Sequence, residues 1–131
     1  MPPRLFTLEQ ASALLPAIRQ LIAAIQAKKQ EVDKLNGDLE SLAQHTGTNG
    51  HASASRSVTI GATAERAAAE LDQLVNDLEA TGCELKGIDE GLVDFQSLRE
   101  GRVVYLCWKM GEDQIRFWHE LDSGFPGRQL L

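Results

Sequence analysis

Cysteine is scarce in this sequence: Cys83 and Cys107 are the only two, and they are too far apart for a CxxC site. A disulfide framework is therefore not expected, and the reading that fits is two free thiols in a reducing compartment. Long apolar runs are missing as well. None approaches the roughly 20 residues that span a bilayer, and the opening Met-Pro-Pro-Arg-Leu-Phe-Thr lacks the basic and apolar regions of a signal peptide. The expectation is a cytoplasmic chain with no membrane partner. Positive charge is short too: the net charge is −6 and the basic residues are scattered, so no stripe is present to follow a phosphate backbone, and nucleic acid is not expected as a partner. P-loop, GxGxxG, GxSxG, HExxH and EF-hand patterns are all absent, which removes local support for the commonest nucleotide, hydrolase and zincin chemistries. Whether the chain is an enzyme stays undecided on these grounds. Aromatic residues are few, 5% of the chain, and lopsided: Phe95, Tyr105, Trp108, Phe117, Trp118 and Phe125 follow Asp94, and only Phe6 precedes it.

The first two thirds draw their apolar content from Leu, Ile, Val and Ala, which suit helices. Thr7 and Gln10 fit a capping box, in which each side chain satisfies the other's orphan backbone N–H, so a helix is predicted to start there. Apolar residues then recur in threes and fours at Leu8, Ala11, Leu15, Ile18, Ile22 and Ile25, and again at Val32, Leu35, Leu39 and Leu42. Pro16 falls inside this stripe and predicts a bend, not a break, because the stripe continues in phase. Lys28 and Lys29 interrupt the stripe, and Asn36-Gly37 weakens it further. Residues 46–57 are small, polar and without period, which predicts a flexible connection, with His45 and His51 in or beside it and read as solvated. A second helix is predicted from about Thr63, with Ala64, Ala67, Ala68, Leu71, Leu74, Val75 and Leu78 on one side, ending at Thr81-Gly82. The two helices should pack antiparallel as a hairpin over about 7–81. The first, about 57 Å long against about 30 Å for the second, would then leave an apolar overhang to be covered, and self-association through the first helix would cover it.

From Cys83 the texture changes to short runs divided by glycine: Glu84-Leu-Lys, Leu92-Val-Asp-Phe95, Arg102-Val-Val-Tyr-Leu-Cys-Trp108 and Gln114-Ile-Arg-Phe-Trp-His-Glu120. Val103–Trp108 is β-branched and aromatic on both faces, as in a central strand. Residues 110–113 read as a hairpin connection, and 114–120 as the return strand, with a helix as the competing reading because Ile115, Trp118 and Leu121 also fit a helical period. The expected architecture is α+β in a single domain over 1–131: a long antiparallel helical hairpin, a small antiparallel β-sheet over about 83–122, and an extended tail over 123–131.

Reactive side chains concentrate in this last third. Asp94 lies inside an apolar run, where a carboxylate needs a cation, a histidine or a metal, and His119 would share a strand face with Ile115 and Phe117, where an imidazole needs a partner. If Asp89, Asp94 and His119 converge, they would form a carboxylate–histidine site suited to a divalent metal or to acid–base work. An Asp–His hydrogen bond or an Asp–Arg pair would serve as a purely structural alternative, with Arg99, Arg102, Arg116 and Arg128 available. Cys107, inside the strongest strand, reads as a small buried hydrophobe. The segments Phe6-Thr-Leu-Glu-Gln-Ala-Ser-Ala-Leu-Leu-Pro16, Gly91-Leu-Val-Asp-Phe95, Val104-Tyr-Leu-Cys-Trp108, Gly111-Glu112, Trp118-His-Glu120 and Gly124-Phe-Pro-Gly-Arg128 together resemble a bacterial and archaeal family, domain of unknown function family 2203. The resemblance implies no activity. Two readings of function follow: a scaffold or interaction protein acting as a homodimer, and a divalent-metal-binding protein or small metal-dependent enzyme using Asp89, Asp94 and His119.

Overall fold

The structure, a computed structural model, describes residues 4–44 and 50–131. Helix α1 spans Leu8–Gln44, α2 spans Gly50–Ala80, and five strands follow: β1 Glu84–Gly87, β2 Leu92–Arg99, β3 Arg102–Lys109, β4 Phe117–His119 and β5 Gln129–Leu130. A 3₁₀ turn at Phe125–Gly127 precedes β5. The strands form one antiparallel sheet in the order β1-β2-β3-β4-β5, so the fold is α+β as the sequence predicts.

The start of α1 is set by the expected capping box: the Thr7 N–H donates to Gln10 Oε1 at 3.0 Å and the Gln10 N–H to Thr7 Oγ1 at 3.1 Å. The helix runs through Pro16, which is exposed on its outer side. Ala11, Leu15, Ile18, Ile22 and Ile25 form its buried stripe, and each fully buried isoleucine contributes roughly 2 kcal/mol of apolar transfer. They pack with Leu78 of α2 and with Val93, Phe95, Val104, Leu106, Trp108, Ile115 and Trp118, so both tryptophans belong to the core. The helical pair thus covers one face of the sheet. Ahead of α1, the Phe6 N–H donates to the Gln96 carbonyl at 2.7 Å and the Ser97 hydroxyl to the Phe6 carbonyl at 2.6 Å. These bonds tie the chain's start to the edge of β2.

Three expectations need correction. The connection expected over 46–57 is helical from Gly50 onward. Residues 45–49 and the side chain of His51 lie outside the described residues. The stretch lacks an apolar period, but alanine and serine tolerate helix, and α1 alongside supplies the packing that propensity does not: Ser57 and Ile60 are half-buried. The overhang shrinks accordingly. With 37 residues in α1 and 31 in α2, the difference in length is about 9 Å, not the nearly 30 Å expected. Lastly, the tail is not simply extended. Gly124 adopts φ +63°, Phe125–Gly127 makes its 3₁₀ turn, and the chain then returns as β5 beside β4. Residues 114–120 resolve as strand, limited to Phe117–His119.

The β2–β3 hairpin turns at Glu100-Gly101, both at positive φ, and its register sets up everything on the far face. Side chains alternate along a strand. Val93 and Phe95 of β2, Val104, Leu106 and Trp108 of β3, and Trp118 of β4 point to the helices. Asp94, Tyr105, Cys107, Phe117 and His119 therefore point to the other face.

Candidate metal centre

Asp94 stands directly opposite Cys107 in the β2–β3 ladder, and the β3–β4 ladder pairs Tyr105 with His119 and Cys107 with Phe117. This register brings Asp94, Cys107 and His119 together: a carboxylate oxygen, the thiol sulfur and a ring nitrogen all lie within 4.8 Å of one another. The three are 3%, 0% and 2% exposed, although they sit on the sheet face away from the helices.

Their hydrogen bonds fix the state of the imidazole. His119 Nδ1 is 2.8 Å from the Glu120 carbonyl, and since a carbonyl only accepts, Nδ1 carries a hydrogen. Nε2 faces Asp94 Oδ2 at 3.1 Å, so one proton lies between ring and carboxylate. The other carboxylate oxygen, Asp94 Oδ1, is buried and accepts no hydrogen bond of full geometry among the described residues, while the Cys107 thiol is the donor facing the Asp94 carboxylate. Burial, reinforced by the neighbouring Asp94 charge, pushes the Cys107 thiol up to about 12. Without a cation Cys107 is therefore a neutral thiol at physiological pH.

Beside this triad is a polar group on β1 and β2. Tyr105 donates its hydroxyl to Glu84 Oε1 at 3.1 Å, Gln96 donates to Glu84 Oε2 at 3.1 Å, and Lys86 lies 3.3 Å from Glu84 Oε1. Partial burial pushes the Glu84 carboxyl up, but these three donors outweigh it and hold it below its ordinary value. The Tyr105 ring lies 5.3 Å from the His119 ring. On the other side, Arg128 makes two bonds to the Glu112 carboxylate, at 2.8 and 2.7 Å, with its guanidinium 3.9 Å from the centre of the Phe117 ring.

Of the residues singled out from sequence, Asp94 and His119 meet and Asp89 does not join them. Asp89 is at the β1–β2 turn, its side chain 75% exposed and paired with Lys29 at 3.1 Å. The turn carries it against the middle of α1, beside Gln26 and Lys29, so proximity in sequence to Asp94 does not become proximity in space. Cys107 takes its place in the cluster. A signal for it was present: Asp94 between Val93 and Phe95, Cys107 between Leu106 and Trp108, and His119 after Trp118 are each one step out of phase with core residues.

The donor set is one sulfur, one nitrogen and one oxygen. It suits zinc or another borderline transition metal, and not magnesium or calcium, which take oxygen ligands. Tetrahedral zinc holds its donor atoms roughly 3.3–3.7 Å apart, against separations of up to 4.8 Å in the triad. The Nδ1–H to carbonyl bond is the usual way a ligating histidine is oriented, leaving the Nε2 lone pair for the ion.

No curated protein and no solved structure matches the chain. No helix among the described residues is long and apolar enough to cross a membrane. Residues 4–131 match the model of a family described as uncharacterized conserved protein (DUF2203), and the chain belongs to that family.

Proposed function

We propose that the protein binds a divalent transition metal, zinc in the first instance, through Asp94, Cys107 and His119. The observation that carries the reading is the buried convergence of three different donor types. Charge accounting favours it. The metal-free triad carries one proton between Asp94 and His119 and one on the Cys107 sulfur. A divalent ion that displaces both leaves the net charge of the buried site unchanged, which avoids the several kcal/mol that an uncompensated buried charge costs. The ion would also satisfy Asp94 Oδ1. What it would supply is Lewis acidity at a three-ligand centre, while the chain's own residues orient it through the His119–Glu120 bond.

Elemental analysis of protein purified without added metal, followed by zinc titration of the metal-stripped chain, tests this. Equimolar zinc with release of about two protons per ion is expected, and Cys107→Ser and Asp94→Asn should each weaken binding tenfold or more. A wild-type chain that neither retains metal nor binds zinc at micromolar concentration would overturn the reading and leave the triad as a hydrogen-bonded part of the core.

A second reading, self-association through α1, is favoured by one feature. Beyond Ile25 the stripe residues Val32, Leu35, Leu39 and Leu42 are only half-buried against α2, and Val58 is 73% exposed. A second copy laid along this stretch would complete their burial.

A further inference from the structure

The metal-ligand triad lies on a sheet face that no helix covers, yet it is almost wholly buried. The connection between β4 and β5 lies against this face, with Phe125 by Lys109 and Arg128 over Phe117. Residue 120 leaves β4 at the Arg102 end of β3, where Glu120 pairs with Arg102. Phe125 and Pro126 then reach the opposite end of the sheet, lining a cavity of about 330 Å³ with Glu90, Leu92 and Lys109. The chain returns through Arg128, stacked on Phe117, to pair with β4 at Gln129 and Leu130. This path crosses the face that holds Asp94, Cys107 and His119.

The crossing segment is weakly held by apolar contacts. The 3₁₀ turn buries no residue, Phe125 is 41% exposed, and β5 is two exposed residues long. Its strongest fastening is polar: the Arg128–Glu112 pair, in which Arg128 Nη2 contacts both carboxylate oxygens and which is largely shielded from solvent, with the Arg128 guanidinium also 4.7 Å from the centre of the Phe125 ring. Segments with few buried apolar contacts open before the fold as a whole.

We infer that residues 120–128 form a strap, latched by Glu112 and Arg128, which opens while the helices and strands β1–β3 stay folded and so exposes the triad. What passes beneath it, a divalent transition metal, rests on the function proposed above. The opening itself can be read without any metal, because the molecule holds two buried thiols in different places. Cys107 lies under the strap, and Cys83 is in the core cluster at the end of α2.

The test is the rate at which an aromatic disulfide reagent labels each cysteine in the native, metal-free full chain, with the sites separated by peptide mass. In Arg128→Gln the Cys107 rate should rise roughly tenfold to a hundredfold, the loss expected for a charge-assisted hydrogen-bonded pair, while the Cys83 rate stays as in the wild type. Arg128→Lys, which keeps the charge and loses the flat guanidinium that lies over Phe117 and Phe125, should fall between. Equal acceleration at both cysteines would mean that the whole fold loosens, and no acceleration at Cys107 would mean that the latch does not hold the cover; either overturns the strap. Stopped-flow zinc binding forms a second arm. Faster association in Arg128→Gln supports the strap as the route for metal, and an unchanged rate alongside faster Cys107 labelling overturns that route. A chain that binds no zinc at all overturns the metal reading, and the thiol rates still decide the strap.

Discussion

Cys107 shows how a residue of ordinary hydrophobic character acquires a chemical role from its surroundings. Its neighbours on the strand, Leu106 and Trp108, face the core, while its own side chain faces Asp94. The folded thiol is held up to about 12 against an ordinary value of 9.0, chiefly by burial and then by the Asp94 charge. Between those two values the unfolded chain has lost a proton that the folded chain keeps, so this group adds nothing below about pH 9 and subtracts stability as pH rises above it. The slope is at most about 1.4 kcal/mol per pH unit. Chemical denaturation of metal-free protein at about pH 8 and about pH 10 should therefore show a loss that is smaller by about 1 kcal/mol in Cys107→Ser than in the wild type. Equal losses would mean that the buried thiol ionises like a free one.

At the level of elements, the beginning of α1 and the end of α2 meet at one place. Gly82 closes α2 at φ +106°, and a Cβ there would sit 2.8 Å from the Phe6 ring, so the position needs glycine for both its backbone angle and its close approach. Phe6 in turn is bonded to β2, and Thr7 caps α1. Two substitutions separate these contributions. Thr7→Ala should lower stability by about 1 kcal/mol through the cap alone. Gly82→Ala should cost more, about 2 kcal/mol or above, because strain and a steric clash add. Thermal unfolding monitored by circular dichroism gives the order, and a Gly82→Ala chain as stable as Thr7→Ala would show that the Phe6 packing yields easily.

Across the whole molecule, the helical pair has two regions. Up to Ile25 its apolar stripe is buried against the sheet; beyond it, the β1–β2 turn still meets α1 at Gln26 and Lys29, and the helices are joined to each other by the exposed Lys28–Glu70 pair. Solvent screening leaves such exposed pairs little to contribute. If self-association covers this stretch, light scattering at micromolar concentration should give twice the chain mass, and Leu35→Glu with Leu39→Glu should return it to that of a single chain. A wild-type monomer under those conditions would remove the second reading. The Asp94–Cys107–His119 triad, on the sheet face away from the helices, should be unaffected by these substitutions.

The periodicity of α1, its capping box, the glycine stop of α2 and the β-rich character of the last third are written in the sequence, because each depends on neighbours a few residues away. Asp94 and His119 were also marked there, as polar residues set in apolar runs. What the sequence left undetermined involves distant partners. The first turns of α2 form on a weak pattern because α1 lies beside them, and the tail folds back over the sheet because Arg128 finds Glu112. Above all, strand register places Cys107 opposite Asp94, and the β1–β2 turn takes Asp89 away to Lys29 on α1. Register is a long-range property: a shift of one residue in any one of β2, β3 and β4 would turn that strand's member of the triad to the other face, and only the tertiary structure selects which residues share the site.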